Sequence, residues 1–132
     1  MAEEREDYVS KLIAALGHEE PETSVRAAWI LGELREARAA GPLMRLVERS
    51  SDPYILGAAV EALGRIGDPQ AASILTQVLG SSFLLVRQEA AEALGRLGGE
   101  EAERALAVAL ADPNVSVREA ASRALQTLGH LP

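Results

Sequence analysis

A segment of 13 residues recurs four times along the chain, and this internal repeat constrains the fold more than any other feature. The four copies begin at residues 23, 55, 86 and 117, so successive starts lie 32, 31 and 31 residues apart. They read TSVRAAWILGELR, ILGAAVEALGRIG, VRQEAAEALGRLG and VREAASRALQTLG. A period of this length is typical of solenoids, in which each structural unit contacts its neighbours along the chain.

Each copy follows a turn that can open a helix, and a second apolar run lies upstream of that turn. Small polar residues accept the free amide hydrogens of a first helical turn, and proline needs no donor there. The upstream runs show helical periodicity, so the predicted unit is helix, turn, helix. The turns hold Glu20–Pro21, Asp52–Pro53, Ser81–Ser82 and Asp112–Pro113, and the upstream runs cover 8–16, 43–47, 71–79 and 102–110.

Helical geometry divides the 13 positions of the segment into a core face and an open face. At 100° per residue, the apolar first, fifth, eighth, ninth and twelfth positions fall within an arc of about 100°. In the third copy these are Val86, Ala90, Ala93, Leu94 and Leu97. Because one helix pair cannot cover this stripe alone, the pairs must stack around one core. The sequence therefore predicts an all-α chain, a right-handed α-solenoid of four two-helix repeats at 3–36, 37–67, 68–98 and 99–130, forming a single domain over 1–132.

The third, fourth, seventh, tenth and eleventh positions point away from that core and are predicted to meet a partner. The seventh is central, and Trp29, the single tryptophan, occupies it in the first copy. A register that starts at Val25 would bury Trp29, but the Leu-Gly ending that the first three copies share favours exposure. An exposed tryptophan in a groove is a frequent centre of binding energy. The predicted partner-binding residues are Trp29, Glu33, Glu61, Arg65, Gln88, Glu92, Arg96 and Arg123.

Charges of both signs lie on this open face, with acidic members towards its middle. Arg65 follows Glu61 by four residues and Arg96 follows Glu92 by four, which is the spacing of helix-surface ion pairs. A glutamate on an open helix face, including Glu89, is usually a solvated, helix-favouring residue rather than a catalytic acid.

Two arginines at the second position of the segment are predicted to have a structural role. Arg87 and Arg118 lie beside the next unit rather than at the centre of the open face. We expect them to pair with turn carboxylates such as Asp112 and so to join neighbouring repeats.

Composition argues against several classes of function. The net charge of −7 disfavours nucleic acid, whose phosphates are bound by lysine and arginine, and there is no cysteine for a thiolate site or nucleophile. The two histidines, His18 and His130, are far apart in sequence. The recurrent glycines are better explained by helix-end packing and capping than by a phosphate loop. We expect no cofactor, no metal site and no enzymatic activity.

The location of the protein is also constrained. The first residues are acidic and polar, unlike a secretory signal, and no apolar stretch approaches the roughly 20 residues that cross a bilayer. We expect a soluble, cytoplasmic protein without a membrane partner. Because the end units of solenoids expose apolar stacking surfaces, we also expect the ends to allow self-association.

The string VRxxAAxALGxLG, complete from Val86 to Gly98 and nearly so from Val117, resembles the short HEAT-like repeats of phycobilisome lyase subunits. The first two copies keep the Leu-Gly ending but lack the Val-Arg start. The resemblance implies that the second helices line the concave side of a curved solenoid, with the seventh-position column on that side. It is specific for fold and much less so for function.

Proteins with such repeats include scaffolds, adaptor domains, bilin lyase subunits and a di-iron hydroxylase of deoxyhypusine. The hydroxylase-like members carry His-Glu pairs early in their second helices as iron ligands. The corresponding pairs here are Val25–Arg26, Gly57–Ala58, Gln88–Glu89 and Glu119–Ala120. The leading hypothesis is therefore a non-enzymatic scaffold or adaptor that binds a peptide or partner domain. A partner that carries Arg or Lys would suit the acidic middle of the open face. An accessory subunit of a bilin lyase-like or other enzyme complex is the alternative, and a designed or excised repeat fragment is a third.

Overall fold

The structure, a computed structural model, describes residues 2–129 apart from the side chains of residues 5 and 6, so His130 lies outside the described residues. Within this range every regular element is helical. Short 3-10 turns at Ala37–Ala39 and Pro69–Ala71 lead into the third and fifth helices. The helices are α1 Ala2–Ala15, α2 Pro21–Glu33, α3 Ala40–Arg49, α4 Pro53–Ile66, α5 Ala72–Val78, α6 Leu84–Leu97, α7 Glu100–Ala109 and α8 Val115–Thr127.

The helices form two layers that follow the repeat. The second helices α2, α4, α6 and α8 pack on one another in chain order, and each also packs against the first helix of its own pair. This arrangement confirms the predicted all-α solenoid of stacked helix pairs. No described helix is both long and apolar enough to cross a membrane.

One continuous core lies between the two layers. In α6, Val86, Ala90, Ala93 and Leu94 are buried and Leu97 is half-buried, as the periodicity predicted. The first copy differs from this prediction at its last core position, because Leu34 lies at the end of α2 and is exposed. First helices add residues such as Leu43, Leu75 and Leu106, which are fully buried.

The tenth position of the segment was assigned to the open face, and this prediction is wrong. Gly32 and Gly64 are buried and Gly95 is half-buried, because neighbouring second helices cross there. A Cβ atom on Gly64 would lie 2.9 Å from both Cα and Cβ of Ala93 in the next second helix. These glycines therefore permit close helix packing, and Gly67, with a left-handed backbone, ends α4. The packing and capping interpretation of the glycines is confirmed.

The predicted helix starts are right for α2 and α4, which begin at Pro21 and Pro53, and are displaced towards the C-terminus for α6 and α8. Asp52 accepts hydrogen bonds from the backbone N–H groups of Tyr54 at 2.8 Å and Ile55 at 3.3 Å, and Pro53 is the first helical residue. In the fourth repeat the cap is Asn114 instead of Asp112. The Asp112 carboxylate is thereby available to a neighbouring repeat.

Arg87 uses that carboxylate to join the third and fourth repeats. Its Nε lies 3.2 Å from Asp112 Oδ2, and its Nη1 donates to the carbonyl of Ser81 at 2.9 Å. The structural role predicted for Arg87 is confirmed. Arg118 differs, because it donates to the backbone carbonyls of Asp112 at 2.8 Å and Pro113 at 3.0 Å rather than to a carboxylate.

Candidate functional site

A groove of about 1000 Å³ opens towards the N-terminal ends of three second helices. All of its lining residues belong to α2, α4 and α6, except Phe83 immediately before α6. α4 packs against both α2 and α6, so it forms the floor between them. The lining consists of Pro21, Glu22, Val25, Arg26, Trp29, Pro53, Tyr54, Gly57, Ala58, Glu61, Phe83, Leu84, Leu85, Val86 and Glu89.

The floor of the groove is low because α4 carries small side chains where other repeats carry larger ones. Gly57 and Ala58 occupy the third and fourth positions of the second copy, whereas the third copy has Gln88 and Glu89 there. The groove therefore extends over α4, although Gly57 itself is buried, and the helix packs through its buried Leu56, Ala59 and Val60.

Large apolar side chains stand exposed around this floor. Trp29 is 55% exposed, Leu85 67% and Tyr54 78%. The exposure predicted for Trp29 is thus confirmed, and the alternative register that buries it is wrong. Single exposed apolar residues are ordinary on protein surfaces, but several that share one concave site are typical of interaction surfaces.

The Glu89 carboxylate lies at the floor of the groove because Gly57 has no side chain to occupy that space. Its Oε1 lies 2.8 Å from the position that a Cβ on Gly57 would occupy, so a larger residue at 57 would displace the carboxylate. Burial raises the pKa of the Glu89 carboxyl above its ordinary value, and the negative charges of Glu61 and Glu92 raise it further. Glu89 is therefore less solvated than an open helix face would make it.

Two of the eight predicted partner-binding residues, Trp29 and Glu61, line the groove. At its edge, Arg65 bridges two carboxylates, with Nη2 3.0 Å from Glu61 Oε1 and Nη1 3.3 Å from Glu33 Oε1. The predicted ion pair between Glu61 and Arg65 is confirmed, and its extension to Glu33 links α4 to α2.

The remaining predicted residues lie outside the groove lining. On α6, Gln88 Nε2 donates to Glu92 Oε1 at 3.4 Å. Within residues 2–129 no ion pair joins Glu92 to Arg96, so that predicted pair is wrong; Glu92 has Gln88 as its neighbour instead. Arg123 is exposed on α8, which contributes nothing to the lining.

The sequence interpretation missed the apolar wall on α6 and the aromatic residue on α4. Tyr54, Leu84 and Leu85 stand immediately before the aligned segments that begin at 55 and 86, so a comparison of those segments left them out. The two adjacent leucines ahead of Val86 could have indicated an exposed apolar wall, since only some positions near a helix start can face the core.

Among the described residues, no three His, Cys, Asp or Glu side chains are grouped as metal ligands.

Comparison with known families now identifies the architecture. A model of HEAT repeats matches residues 9–84 and 75–132. The chain belongs to the HEAT repeat family. Its helix pairs are HEAT repeats, and the groove is built from their second helices. No curated protein matches the chain in sequence.

Solved HEAT-like structures are similar over nearly the whole chain. Human deoxyhypusine hydroxylase in complex with glycerol is 28% identical with a TM-score of 0.80, over 92% of this chain and 43% of the enzyme. A chain in the complex of CpcE and CpcF of phycocyanin lyase from Nostoc sp. PCC7120 is 26% identical with a TM-score of 0.73. The match covers 94% of the present chain and 79% of the chain in that complex. An engineered protein is 27% identical with a TM-score of 0.69, over 94% of this chain and 63% of its own. This HEAT repeat chain thus spans less than two thirds of the engineered protein and of the hydroxylase.

Proposed function

We propose that this HEAT repeat chain is a non-enzymatic scaffold or adaptor that binds a peptide, or a projecting segment of a partner domain, in the groove over α2, α4 and α6. The observation that carries the proposal is the group of exposed apolar side chains, Trp29, Tyr54 and Leu85, around one open floor. Such anchors at the centre of an interface supply most of its binding energy.

The composition of the lining supports recognition of a side chain. Most lining residues are apolar, and the polar ones are three glutamates, one arginine and one tyrosine. Outside the lining, the charged residues of α6 and α8 would form a rim that meets flanking parts of the partner, where contacts contribute less. This proposed rim consists of Gln88, Glu92, Arg96 and Arg123, with Glu33 and Arg65 at the α2 and α4 edge.

Selection from a phage library of random peptides tests the proposal. Selected peptides are titrated by calorimetry against the wild type, Trp29→Ala and the control Val108→Ser, whose residue is 77% exposed on α7. We expect Trp29→Ala to weaken binding about thirtyfold, equivalent to about 2 kcal/mol, and the control to leave it unchanged. Equal binding to wild type and Trp29→Ala would reject the groove as the site.

A second candidate is an accessory subunit of a bilin lyase-like complex. Its support is the similarity to a chain in the phycocyanin lyase complex, which the present chain covers to 79% of its length. Adding a linear tetrapyrrole and recording the absorption spectrum tests it. A 1:1 shift that is lost in Trp29→Ala would favour this candidate over the peptide-binding scaffold.

A further inference from the structure

We propose that the groove selects a partner segment that carries a basic side chain, lysine or arginine, which enters over Gly57 and ends at the Glu89 carboxylate. The inference rests on the proposed function and adds the chemistry of the bound residue. Glu89 is the specificity-determining residue, and Trp29 and Tyr54 provide the rings along which the side chain lies.

The first argument is the balance of charge in the groove. Its lining contains Glu22, Glu61 and Glu89 against one cation, Arg26. Glu61 already has an ion pair with Arg65 at 3.0 Å. No hydrogen bond or ion pair among the described residues involves Glu89. Glu22 has no such contact either, but it is exposed in the first turn of α2, whereas Glu89 is half-buried over Gly57. Glu89 is therefore the half-buried carboxylate of the lining that has no partner among the described residues.

The second argument is the position of that carboxylate. It rests against the backbone of Gly57, at the floor and between the walls from α2 and α6. A half-buried carboxylate beside other negative charges is destabilised in its ionised form, as the raised pKa of Glu89 indicates. A cation brought to this point would remove that penalty, whereas an acidic side chain would increase it.

The third argument is the aromatic and apolar lining that Glu89 shares the groove with. Lysine and arginine bury their methylene stems along apolar surface while the charged group reaches a polar end. Trp29 and Tyr54 attract cations through their ring faces, and Leu85 offers apolar surface to neighbouring residues of the partner. A neutral polar residue would use only part of this arrangement.

Four peptide libraries test the inference, each with randomised flanks and one fixed central residue: lysine, arginine, norleucine or citrulline. Norleucine and citrulline keep the length of the cationic side chains without their charge. The arrays are probed with wild type, Glu89→Gln and the control Glu101→Gln, whose residue is exposed on α7 and outside the lining. The strongest binders are then titrated by calorimetry.

We expect the lysine and arginine libraries to bind at least tenfold more tightly than the norleucine and citrulline libraries. Glu89→Gln should remove this preference and leave the affinity for the neutral peptides unchanged, and Glu101→Gln should keep the preference. The ratio between the lysine and arginine libraries identifies which cation the groove takes.

Several results would overturn the inference. Equal binding of the charged and neutral libraries, or a preference that survives in Glu89→Gln, rejects the role of Glu89 while the peptide-binding function stands. Binding by none of the four libraries rejects the proposed function itself. A wild-type dimer in analytical ultracentrifugation that becomes a monomer in Trp29→Ala would show that a second copy covers the groove, which also rejects the inference.

Discussion

The second helices of this solenoid are packed differently along their length. Towards their C-terminal ends they cross so closely that Gly64 has no room for a Cβ beside Ala93. Towards their N-terminal ends α2, α4 and α6 surround an open groove, and the Glu89 carboxylate lies where a Cβ on Gly57 would be, with Oε1 2.8 Å from that position. Glycine thus serves close packing in one region and an open floor in the other.

The difference shows how one repeat unit supplies both rigidity and recognition. In the closed region Gly32, Gly64 and Gly95 each face an alanine of the next second helix, so substitutions there should change stability. In the open region the side chains face solvent, so substitutions there should change binding. The first two predictions below each set a residue of one region against a matched residue of the other.

The largest contrast is between two leucines on α6. Leu94 is fully buried, whereas Leu85 is 67% exposed in the groove. Leu94→Ala should lower the free energy of unfolding by about 2–5 kcal/mol because it leaves a cavity. Leu85→Ala should change it by less than about 0.5 kcal/mol. Urea denaturation of both variants measures the difference, and a similar loss in the two would mean that the groove is part of the packed core.

A second contrast compares Gly64→Ala with Gly57→Ala. The first places a methyl group 2.9 Å from the backbone of Ala93 and should destabilise the protein by about 1–3 kcal/mol through overpacking. The second meets only the flexible end of Glu89, so the helical preference of alanine should stabilise the protein by up to about 1 kcal/mol.

The same denaturation experiment measures both glycine variants. Peptide binding gives an independent readout, because Gly57→Ala should displace the carboxylate and reduce the preference for basic residues. Stabilisation by Gly64→Ala would show that the helices do not cross as closely as described.

A third contrast concerns ion pairs. Arg87 and Asp112 are mostly buried and join two repeats, whereas Arg104 and Glu100 form an exposed pair on α7. Arg87→Ala should cost about 1–2 kcal/mol, since it also leaves the carbonyl of Ser81 without this donor. Arg104→Ala should have no measurable effect on the thermal unfolding midpoint. Equal midpoints for the two variants would contradict a joining role for Arg87.

Much of the fold can be predicted from the sequence because the same core positions recur in several copies of the repeat. The first-position Val86 and Val117 and the ninth-position Leu94 and Leu125 recur at helical spacing, and all are buried. The tenth-position glycines were misassigned because helical angle alone places them with the open face. These glycines are buried only because neighbouring helices cross there. The crossing angle between the helices depends on side-chain packing between repeats.

The groove was harder to predict because it depends on what differs between repeats. Trp29 and Glu61 followed from the open face of the aligned segment. Tyr54 and Leu85 precede the segment, and their clustering requires the relative positions of three helices. The environment of Glu89 depends on the absence of a side chain at Gly57 on another helix, which no pattern within one repeat records.

The smallest predicted effect is the pH dependence that Glu89 contributes to stability. Because folding raises its pKa above the ordinary value of 4.5, the folded protein holds this proton more tightly than the unfolded chain does. The contribution of Glu89 to the free energy of unfolding therefore falls as the pH rises from 4.5 through the folded pKa, and the full cost is present above the folded pKa.

Glu89→Gln should consequently be more stable than wild type near pH 7, by less than about 1 kcal/mol because solvent screens a half-buried carboxyl. The gap should close as the pH falls below 4.5, where Glu89 is protonated in both states. Denaturant titrations across this range measure it, with Glu101→Gln, at an exposed position on α7, as control. If the gap widened towards low pH instead, the ionised carboxylate would be the form that folding favours, and Glu89 would have no need of a cation from a partner.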